Sequence, residues 1–171
     1  MPKTASTRPT QDRVREAVFN VIRPKVAGSA VLDLYAGSGA FGIEALSRGA
    51  AKTYFVDNNA ECARTIKENV SIIRDADKRA VIMKKDSLKA IGELGEKGLK
   101  FDLIFLDPPY REEELAKNTL IKINDCAILN RRGFLVVEHS GKTVLPPNIN
   151  NIKVIKASSY GDKAVSFYAS L

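Results

Sequence analysis

The sequence predicts an α/β fold: a Rossmann-like, doubly wound and mostly parallel sheet of seven strands, with helices on both faces and a C-terminal antiparallel hairpin. Two observations predict it. Between residues 30 and 138, short apolar runs alternate with amphipathic segments, which is typical of repeated strand–helix units in a parallel sheet. Two further apolar runs, 152–158 and 164–169, are separated only by the turn 160–163, which indicates a hairpin.

Each strand is predicted by an apolar run that is short and continuous, as expected for a strand buried on both faces. These runs cover residues 31–35, 53–56, 80–83, 101–106, 133–138, 152–158 and 164–169. The helices are predicted by helical spacing of apolar residues and by polar caps. They start at Thr10, at Phe41, at Asn58 or Asn59, after Asp86 and at Glu112. Pro24 is expected to end the first helix.

Length and composition limit the kind of protein. The 171 residues suffice for one domain, and 44% hydrophobic with 27% charged residues is ordinary for a globular protein. No apolar run is long enough to span a membrane, and the start is too polar for a secretory signal. Two cysteines and one histidine exclude a disulfide framework and a multi-histidine metal centre. We therefore expect a cytoplasmic monomer that binds no metal and no membrane, with the sole histidine, His139, facing solvent or the rim of the substrate site.

The positive charge is concentrated at the two ends of the chain. The net charge is +7, and residues 1–30 hold six basic and two acidic side chains, residues 111–171 nine and six, and the middle equal numbers. Basic flanks around a neutral centre favour a polyanionic partner such as a nucleic acid.

A glycine-rich loop follows the first predicted strand. Residues 37–42 read Gly-Ser-Gly-Ala-Phe-Gly, which is the spacing GxGxxG, and Asp57 stands at the end of the next strand. Glycines let the backbone approach a ligand and leave the helix N-terminus facing it, while the acid can accept both hydroxyls of a ribose. The loop therefore predicts a cofactor that contains adenosine.

The spacing alone fits a nicotinamide dinucleotide as well as S-adenosylmethionine. Asp33, inside the first strand, is placed to attract the cationic amino group of the latter, and Asp86, after the third strand, to accept a hydrogen bond from an adenine amine. Both favour S-adenosylmethionine, although each acid could instead cap the loop beside it. The residues expected to contact the cofactor are Asp33, Tyr35, Ala36, Gly37, Ser38, Gly39, Asp57, Asn58, Asp86 and Ser87.

The fourth strand runs directly into Asp107-Pro108-Pro109-Tyr110, the expected catalytic residues. Ligands of open α/β sheets bind at the carboxyl ends of the strands, so this tetrapeptide is expected beside the glycine loop. The prolines remove backbone donors and keep the chain extended. A carboxylate next to a free carbonyl can then accept both hydrogens of an exocyclic amine, and Tyr110 offers a flat face for stacking a base.

Three blocks, Arg8 to Asn20, Asp33 to Gly49 and Asp107 to Tyr110, together resemble a known family. They look like the bacterial small-subunit ribosomal RNA guanine-N2 methyltransferases of the RsmD type, in motif order over nearly the whole chain. The first block is the most specific, because the other two occur across many amino-methyltransferases.

The resemblance implies a class I methyltransferase that uses S-adenosylmethionine to modify one guanine of 16S ribosomal RNA, within an assembled or assembling small subunit. It implies that Arg8, Thr10 and Arg13 border the active site and hold RNA phosphate or the cofactor's carboxylate, with Tyr110 also contacting the substrate. From the sequence we also expect a basic arm and helix, residues 1–29, packed on the methyltransferase domain, residues 30–171, in one domain overall.

Other functions share part of this pattern. The tetrapeptide also suits adenine N6 in DNA or a glutamine amide in a protein, because both present an NH₂ group, but the first block argues against them. A nicotinamide-dependent oxidoreductase fits the glycine loop and leaves the tetrapeptide and the hairpin unexplained. A non-catalytic RNA-binding module would keep the basic flanks and bind no S-adenosylmethionine.

Overall fold

A single sheet of eight strands organises the computed structural model, which describes residues 8–109 and 113–170. The strands are β1 (Ala30–Leu34), β2 (Lys52–Asp57), β3 (Ala80–Lys84), β4 (Phe101–Leu106), β5 (Leu129–Ser140), β6 (Asn148–Ile149), β7 (Ile152–Tyr160) and β8 (Lys163–Ser170). The helices are α1 (Arg8–Ile22), α2 (Ala40–Ser47), α3 (Ala60–Ser71), α4 (Ser87–Glu96) and α5 (Glu113–Asp125). The strands lie in the order β3-β2-β1-β4-β5-β8-β7-β6.

The predicted doubly wound sheet with a terminal hairpin is confirmed. The first five strands pair in parallel, and β8 inserts antiparallel between β5 and β7. The expected number of seven strands is wrong by one. Asn148 and Ile149 form the additional strand β6 at the sheet edge, opposite Lys153 and Ile152. Two residues are too few to produce a recognisable apolar run.

Helices cover both faces of the sheet, and the core divides accordingly. On one face, α1 packs Val14, Val18 and Phe19 against the strands, in a cluster that also contains Ala45 of α2. Phe55 of β2 lies in a smaller cluster with residues of α2 and α3. On the other face, α4 and α5 bury their apolar stripes. No helix within residues 8–109 and 113–170 has the length and apolarity to cross a membrane.

Two predicted boundaries are wrong for local reasons. The first helix begins at Arg8, so Thr10 lies in its first turn and is not the cap. The fifth strand begins at Leu129 instead of residue 133, because a bulge separates the pairs Phe101–Leu129 and Leu103–Phe134. Arg132 has a φ of 64° within this bulge, and the irregular backbone interrupts the apolar run that a strand normally shows.

The order of the strands decides where a ligand can bind. The chain moves outward from β1 to β3 and then returns to place β4 on the other side of β1. This reversal is the switch point at which open α/β sheets leave a crevice beyond the carboxyl ends of their strands. The turn of the hairpin lies at the same edge, since Lys163 at the start of β8 pairs with Ser140 at the end of β5.

Candidate active site

Two adjoining cavities lie at the carboxyl ends of the central strands. The smaller, about 230 Å³, is lined by Gln11, Arg15, Asp33, Tyr35, Ala36, Gly37, Ser38, Ala40, Phe41, Asp107 and Glu138. The larger, about 520 Å³, is lined by Tyr35, Asp57, Asn58, Asn59, Cys62, Asp86, Ser87, Asp107, Pro108, Pro109 and Leu115. Both share Tyr35 and Asp107. A groove of about 660 Å³ between α4 and α5 contains none of the residues predicted for the site among its described lining.

The glycine loop turns sharply between β1 and α2. Tyr35, Gly37 and Gly39 all have positive φ, at 56°, 55° and 80°. For Tyr35 this is a strained conformation; its hydroxyl shares a hydrogen bond of 2.9 Å with the hydroxyl of Thr119 on α5. The Gly37 amide donates to Asp57 at 2.9 Å, which ties the loop to the end of β2. The loop is therefore held in shape before any ligand binds.

The second and third glycines of the motif are needed for packing. A Cβ at Gly42 would lie 2.3 Å from an aromatic carbon of Phe55, and one at Gly39 would lie 3.1–3.2 Å from Ile66, Ile43 and Phe55. These positions allow α2 to approach β2 closely. Gly39 is absent from the described linings of both cavities, so the structure shows its packing role, and its contact with the cofactor stays a prediction.

Asp33 is a buried carboxylate at the smaller cavity. It is 2% exposed, and its Oδ2 accepts a hydrogen bond of 2.9 Å from the Gly42 amide in the first turn of α2. Burial raises the pKa of Asp33 to about 8, against the lowering effect of the Gly42 amide, with smaller increases from Asp107 and Asp57. A cation bound in this cavity would favour the ionised form. Asp33 thus both braces the loop and suits a cationic ligand group.

The acids of the larger cavity also hold the backbone. Asp57 accepts from the amides of Gly37 and Asn59, each at 2.9 Å. Asp86 caps α4 by accepting from the Lys89 amide at 3.0 Å. A carboxylate oxygen has two lone pairs, so these bonds leave acceptor capacity toward the cavity. The alternative interpretation of these acids as caps and the predicted ligand role are therefore compatible.

Asp107 lies where the two cavities meet. It follows the last paired residue of β4, Leu106, whose partner is Val137 of β5. The pKa of Asp107 is raised to about 7, mainly by burial and further by the charge of the nearby Glu138, against the lowering effect of Lys163. Pro108 is buried and Pro109 is exposed, and both line the larger cavity.

The structure brings most of the predicted residues together. Nine of the ten expected cofactor contacts line one of the two cavities, Gly39 being the exception, and Asp107 and both prolines join them. Tyr110 lies outside the described residues. The backbone of Arg8 and Thr10 belongs to α1, whereas their side chains lie outside the described part. Arg13 is exposed and lies about 200° around the helix from Gln11, so it points away from the smaller cavity.

Several lining residues were not predicted. Gln11 and Arg15 stand one helical turn apart on α1 and reach the smaller cavity. Arg15 also donates to Asp12 at 2.9 Å. Helical spacing groups these two residues on one face, but the sequence does not show that α1 crosses above the glycine loop. Glu138 and Asp107 each directly follow the last pair between β5 and β4, Val137 with Leu106, and an acid after an apolar run was the available signal in both strands.

The expectation for His139 is wrong. The side chain is 9% exposed, with Nδ1 donating to the Ser140 carbonyl at 2.8 Å and Nε2 accepting from the Ser166 hydroxyl at 2.9 Å. It is absent from the described linings of both cavities. The ring links β5 to β8, because strand alternation turns it to the face opposite Glu138.

Comparison with known proteins identifies the family. The family described as "Conserved hypothetical protein 95" matches residues 1–169. A Bacillus subtilis protein named "Putative rRNA methyltransferase YlbH" is 39% identical and covers 95% of this chain and 88% of its own length. "Ribosomal RNA small subunit methyltransferase D" of Escherichia coli is 30% identical, over 98% of this chain and 82% of the relative. The chain belongs to the RsmD-type family.

A solved structure supports the same assignment. The structure of "Putative methyltransferase yhhF from Escherichia coli" has a TM-score of 0.84 and 28% identity, and covers 99% of this chain and 90% of that one. The two chains therefore share their fold over almost their whole lengths. The resemblance inferred from the three sequence blocks is confirmed.

Proposed function

We propose that this chain transfers a methyl group from S-adenosylmethionine to the exocyclic N2 amine of a guanine in 16S ribosomal RNA. The observation that carries the proposal is the position of Asp107, which lines both cavities at the carboxyl ends of the strands. The names of the relatives support the substrate class: both are ribosomal RNA methyltransferases, and one is named for the small subunit.

The residues of the larger cavity fit the nucleoside part of S-adenosylmethionine. Asp57 and Asp86 supply carboxylate oxygens, and Asn58 and Ser87 supply amide and hydroxyl groups. Carboxylates can accept from ribose hydroxyls and from an adenine amine. Binding the nucleoside requires these acceptors next to a loop of fixed shape. The hydrogen bond from the Gly37 amide to Asp57 holds the glycine loop in that shape.

The residues of the smaller cavity fit the amino-acid part. The buried Asp33 suits a cationic amino group, and Arg15 suits a carboxylate because a guanidinium can form two hydrogen bonds with it. When bound, S-adenosylmethionine supplies an electrophilic methyl group. Since Arg13 points away from this cavity, we assign it to RNA phosphate rather than to the cofactor.

Asp107 and Pro108 hold the amine of the acceptor. The lone pair of a purine amine is delocalised into the ring, which makes the nitrogen a weak nucleophile. The Asp107 carboxylate and the Pro108 carbonyl can accept one hydrogen each, which favours a more tetrahedral nitrogen with a localised lone pair. After methylation the nitrogen loses a proton readily, and Asp107 is in place to accept it.

The RNA must present its guanine outside a helical stack. Extruding a base from a helix costs a few kcal/mol, and Tyr110 is the proposed surface on which the extruded base stacks. The basic N-terminal block, including Arg8, Thr10 and Arg13, supplies contacts to phosphate. We propose that the chain acts in the cytoplasm as a monomer, without a metal, on the small subunit or an assembly intermediate of it.

A tritiated-methyl assay tests this function. The chain is incubated with labelled S-adenosylmethionine and, separately, naked 16S RNA, assembled 30S particles and DNA. We expect label in N2-methylguanine of 16S RNA from at least one of the RNA substrates and none in DNA. Label in DNA adenine, or no label in RNA, would contradict the proposal.

Asp107→Ala separates the roles within the site. We expect the variant to bind S-adenosylmethionine nearly as the parent does, measured by calorimetry, because Asp107 addresses the acceptor. We expect its methyl transfer to fall by at least about 10²-fold, the size of effect that positioned acid–base groups contribute. Transfer at the parent rate would refute the role of Asp107.

A further inference from the structure

Glu138 and Lys163 form an ion pair that is almost completely buried. The Lys163 ammonium donates to Oε1 of Glu138 at 2.5 Å, and the two side chains are 6% and 16% exposed. Both charges are thus removed from water, which is unfavourable, and apolar residues of similar volume would often serve stability equally well. The position of the pair is therefore more informative than its presence.

The ion pair lies next to Asp107, on the neighbouring strand. Glu138 follows Val137, and Asp107 follows Leu106, the strand partner of Val137, so the two acids stand side by side where the pairing of β4 with β5 ends. They line the same cavity. Adjacent strands are about 4.8 Å apart, which places Glu138 within the range where charges interact strongly in a protein.

Lys163 reaches the same place from the hairpin. Glu138 pairs with Val165 across the β5–β8 ladder, and Lys163 lies two residues before Val165. Side chains two residues apart share a face of the sheet. The tip of the C-terminal hairpin therefore contributes a cation to the catalytic side of the site.

We propose that Lys163, by compensating the charge of Glu138, is a positioning residue that favours the ionised form of the Asp107 carboxylate for the methyl transfer. The role of Lys163 in methyl transfer rests on the proposed function, whereas its effect on the charge of Asp107 does not. An ionised Asp107 accepts hydrogen bonds only, as holding an amine requires, whereas a protonated one would donate. Without Lys163, the buried Glu138 charge would favour protonation of Asp107.

The charges around Asp107 come from every neighbouring element. Asp33 of β1 and Arg15 of α1 line the smaller cavity, and Asp57 of β2 and Asp86 before α4 line the larger. Burial is the main cause of the raised pKa of Asp107, Glu138 adds to it, and Lys163 opposes it. Lys163 thus favours the ionised form of Asp107, and it does so from outside the described linings of both cavities.

Carboxyl NMR on protein labelled with ¹³C-aspartate tests the inference without needing activity. Asp107→Asn assigns the signal, and its titration is followed in the parent, E138Q and K163M. We expect the pKa of Asp107 to fall by about one pH unit in E138Q. In K163M we expect the pKa of Asp107 to rise, because the charge of Glu138 is then no longer compensated and favours protonation of Asp107.

The acidic limb of the plot of methyl-transfer rate against pH should follow the pKa of Asp107. We expect this limb to move to lower pH in E138Q and to higher pH in K163M. In the double variant it should return close to its original pH. K153M is the matched control. Lys153 is an exposed lysine of the same hairpin, and it pairs with Ala169 at the end of β8 that is farther from Lys163.

A purely structural ion pair would lower the melting temperature in both variants and leave the pKa of Asp107 unchanged; that result would overturn the inference. Shifts of equal sign in E138Q and K163M would do the same. If K163M does not fold, E138Q decides alone. If the pKa values shift as expected while no RNA is methylated, the proposed function fails and the electrostatic coupling stands.

Discussion

Asp33 and Asp107 hold carboxyl groups in surroundings that disfavour their negative charge. Burial is the main cause for both, and it raises the pKa of Asp33 to about 8 and that of Asp107 to about 7. Groups with strongly shifted pKa values are concentrated at functional sites. For Asp33 the shift suits a site that binds a cation, and for Asp107 it suits a group that accepts hydrogen bonds and then a proton near neutral pH.

The shift of Asp107 predicts a cost in stability. Its pKa is higher in the folded protein than the ordinary value of 3.8, so folding is favoured while the group is protonated. This contribution is complete below pH about 4 and is lost as the pH rises through about 7. D107N removes the charge. We expect it to raise the free energy of unfolding at pH 8 by on the order of 2–4 kcal/mol, and by less at pH 5.

Urea denaturation at the two pH values measures this effect. D77N is the control, because Asp77 is exposed in the turn before β3 and should change stability by less than about 0.5 kcal/mol. A D107N protein that is less stable than the parent at pH 8 would contradict the charge argument.

At the scale of elements, the packing of α2 on β2 determines the shape of the glycine loop. Gly42 lies where the helix contacts Phe55, with no room for a Cβ, which would lie 2.3 Å from the ring. The same glycine donates its amide to Asp33. One small residue thus connects the helix, the neighbouring strand and the buried acid of the site.

G42A should therefore damage both the fold and cofactor binding. Overpacking of a core contact costs about 1–3 kcal/mol, which exceeds the gain of about 0.5–1 kcal/mol that alanine brings to a helix. We expect a lower melting temperature and weaker binding of S-adenosylmethionine, measured by thermal unfolding and calorimetry.

G92A is the matched control for G42A. Gly92 is also inside a helix, and its nearest neighbour to an added Cβ is an atom of Lys122 at 3.8 Å. Alanine there has space and should stabilise α4 by about 0.5–1 kcal/mol. Equal effects of the two substitutions would show that the contact with Phe55 is unimportant.

At the scale of the whole molecule, the fold brings the N-terminal helix and the tip of the C-terminal hairpin to the same edge of the sheet. The N-terminal turn of α1 lies above the smaller cavity, and the tip of the β7–β8 hairpin lies at the same edge. An RNA that brings a guanine to Asp107 would meet this edge. Long-range attraction of this kind should depend strongly on salt.

Replacing Arg8 and Arg13 by alanine should weaken RNA binding and flatten its salt dependence. Removing one phosphate contact reduces the steepness of log K against log[salt] by about 0.7–0.9. Filter binding of 16S RNA at several salt concentrations measures the slope. R74A is the control, because Arg74 is 96% exposed in its side chain and precedes β3, at the edge away from the site. An unchanged salt dependence in the double variant would show that Arg8 and Arg13 do not contact the RNA.

Local patterns in the chain were sufficient for most elements. The strands β1 to β4, the hairpin, the glycine loop and the tetrapeptide at Asp107 each have a signal within a few residues. Thr10 and β6 were misjudged because a cap and a two-residue strand are recognised only by the hydrogen bonds that they make. The packing of Gly39 against Ile66, Ile43 and Phe55 had no such local signal, because the motif does not show which side chains lie beneath the loop.

The sequence by itself determined the fold class, the family and the acids at the ends of the first four strands, because each depends on contiguous residues and on the regular spacing of strands and helices. Only the tertiary structure decided that the face of α1 with Gln11 and Arg15 lines the cavity, and that Lys163 contacts Glu138 beside Asp107. These relations join residues far apart in the chain, and they depend on how α1 crosses the sheet and on β8 pairing beside β5, which no local pattern specifies.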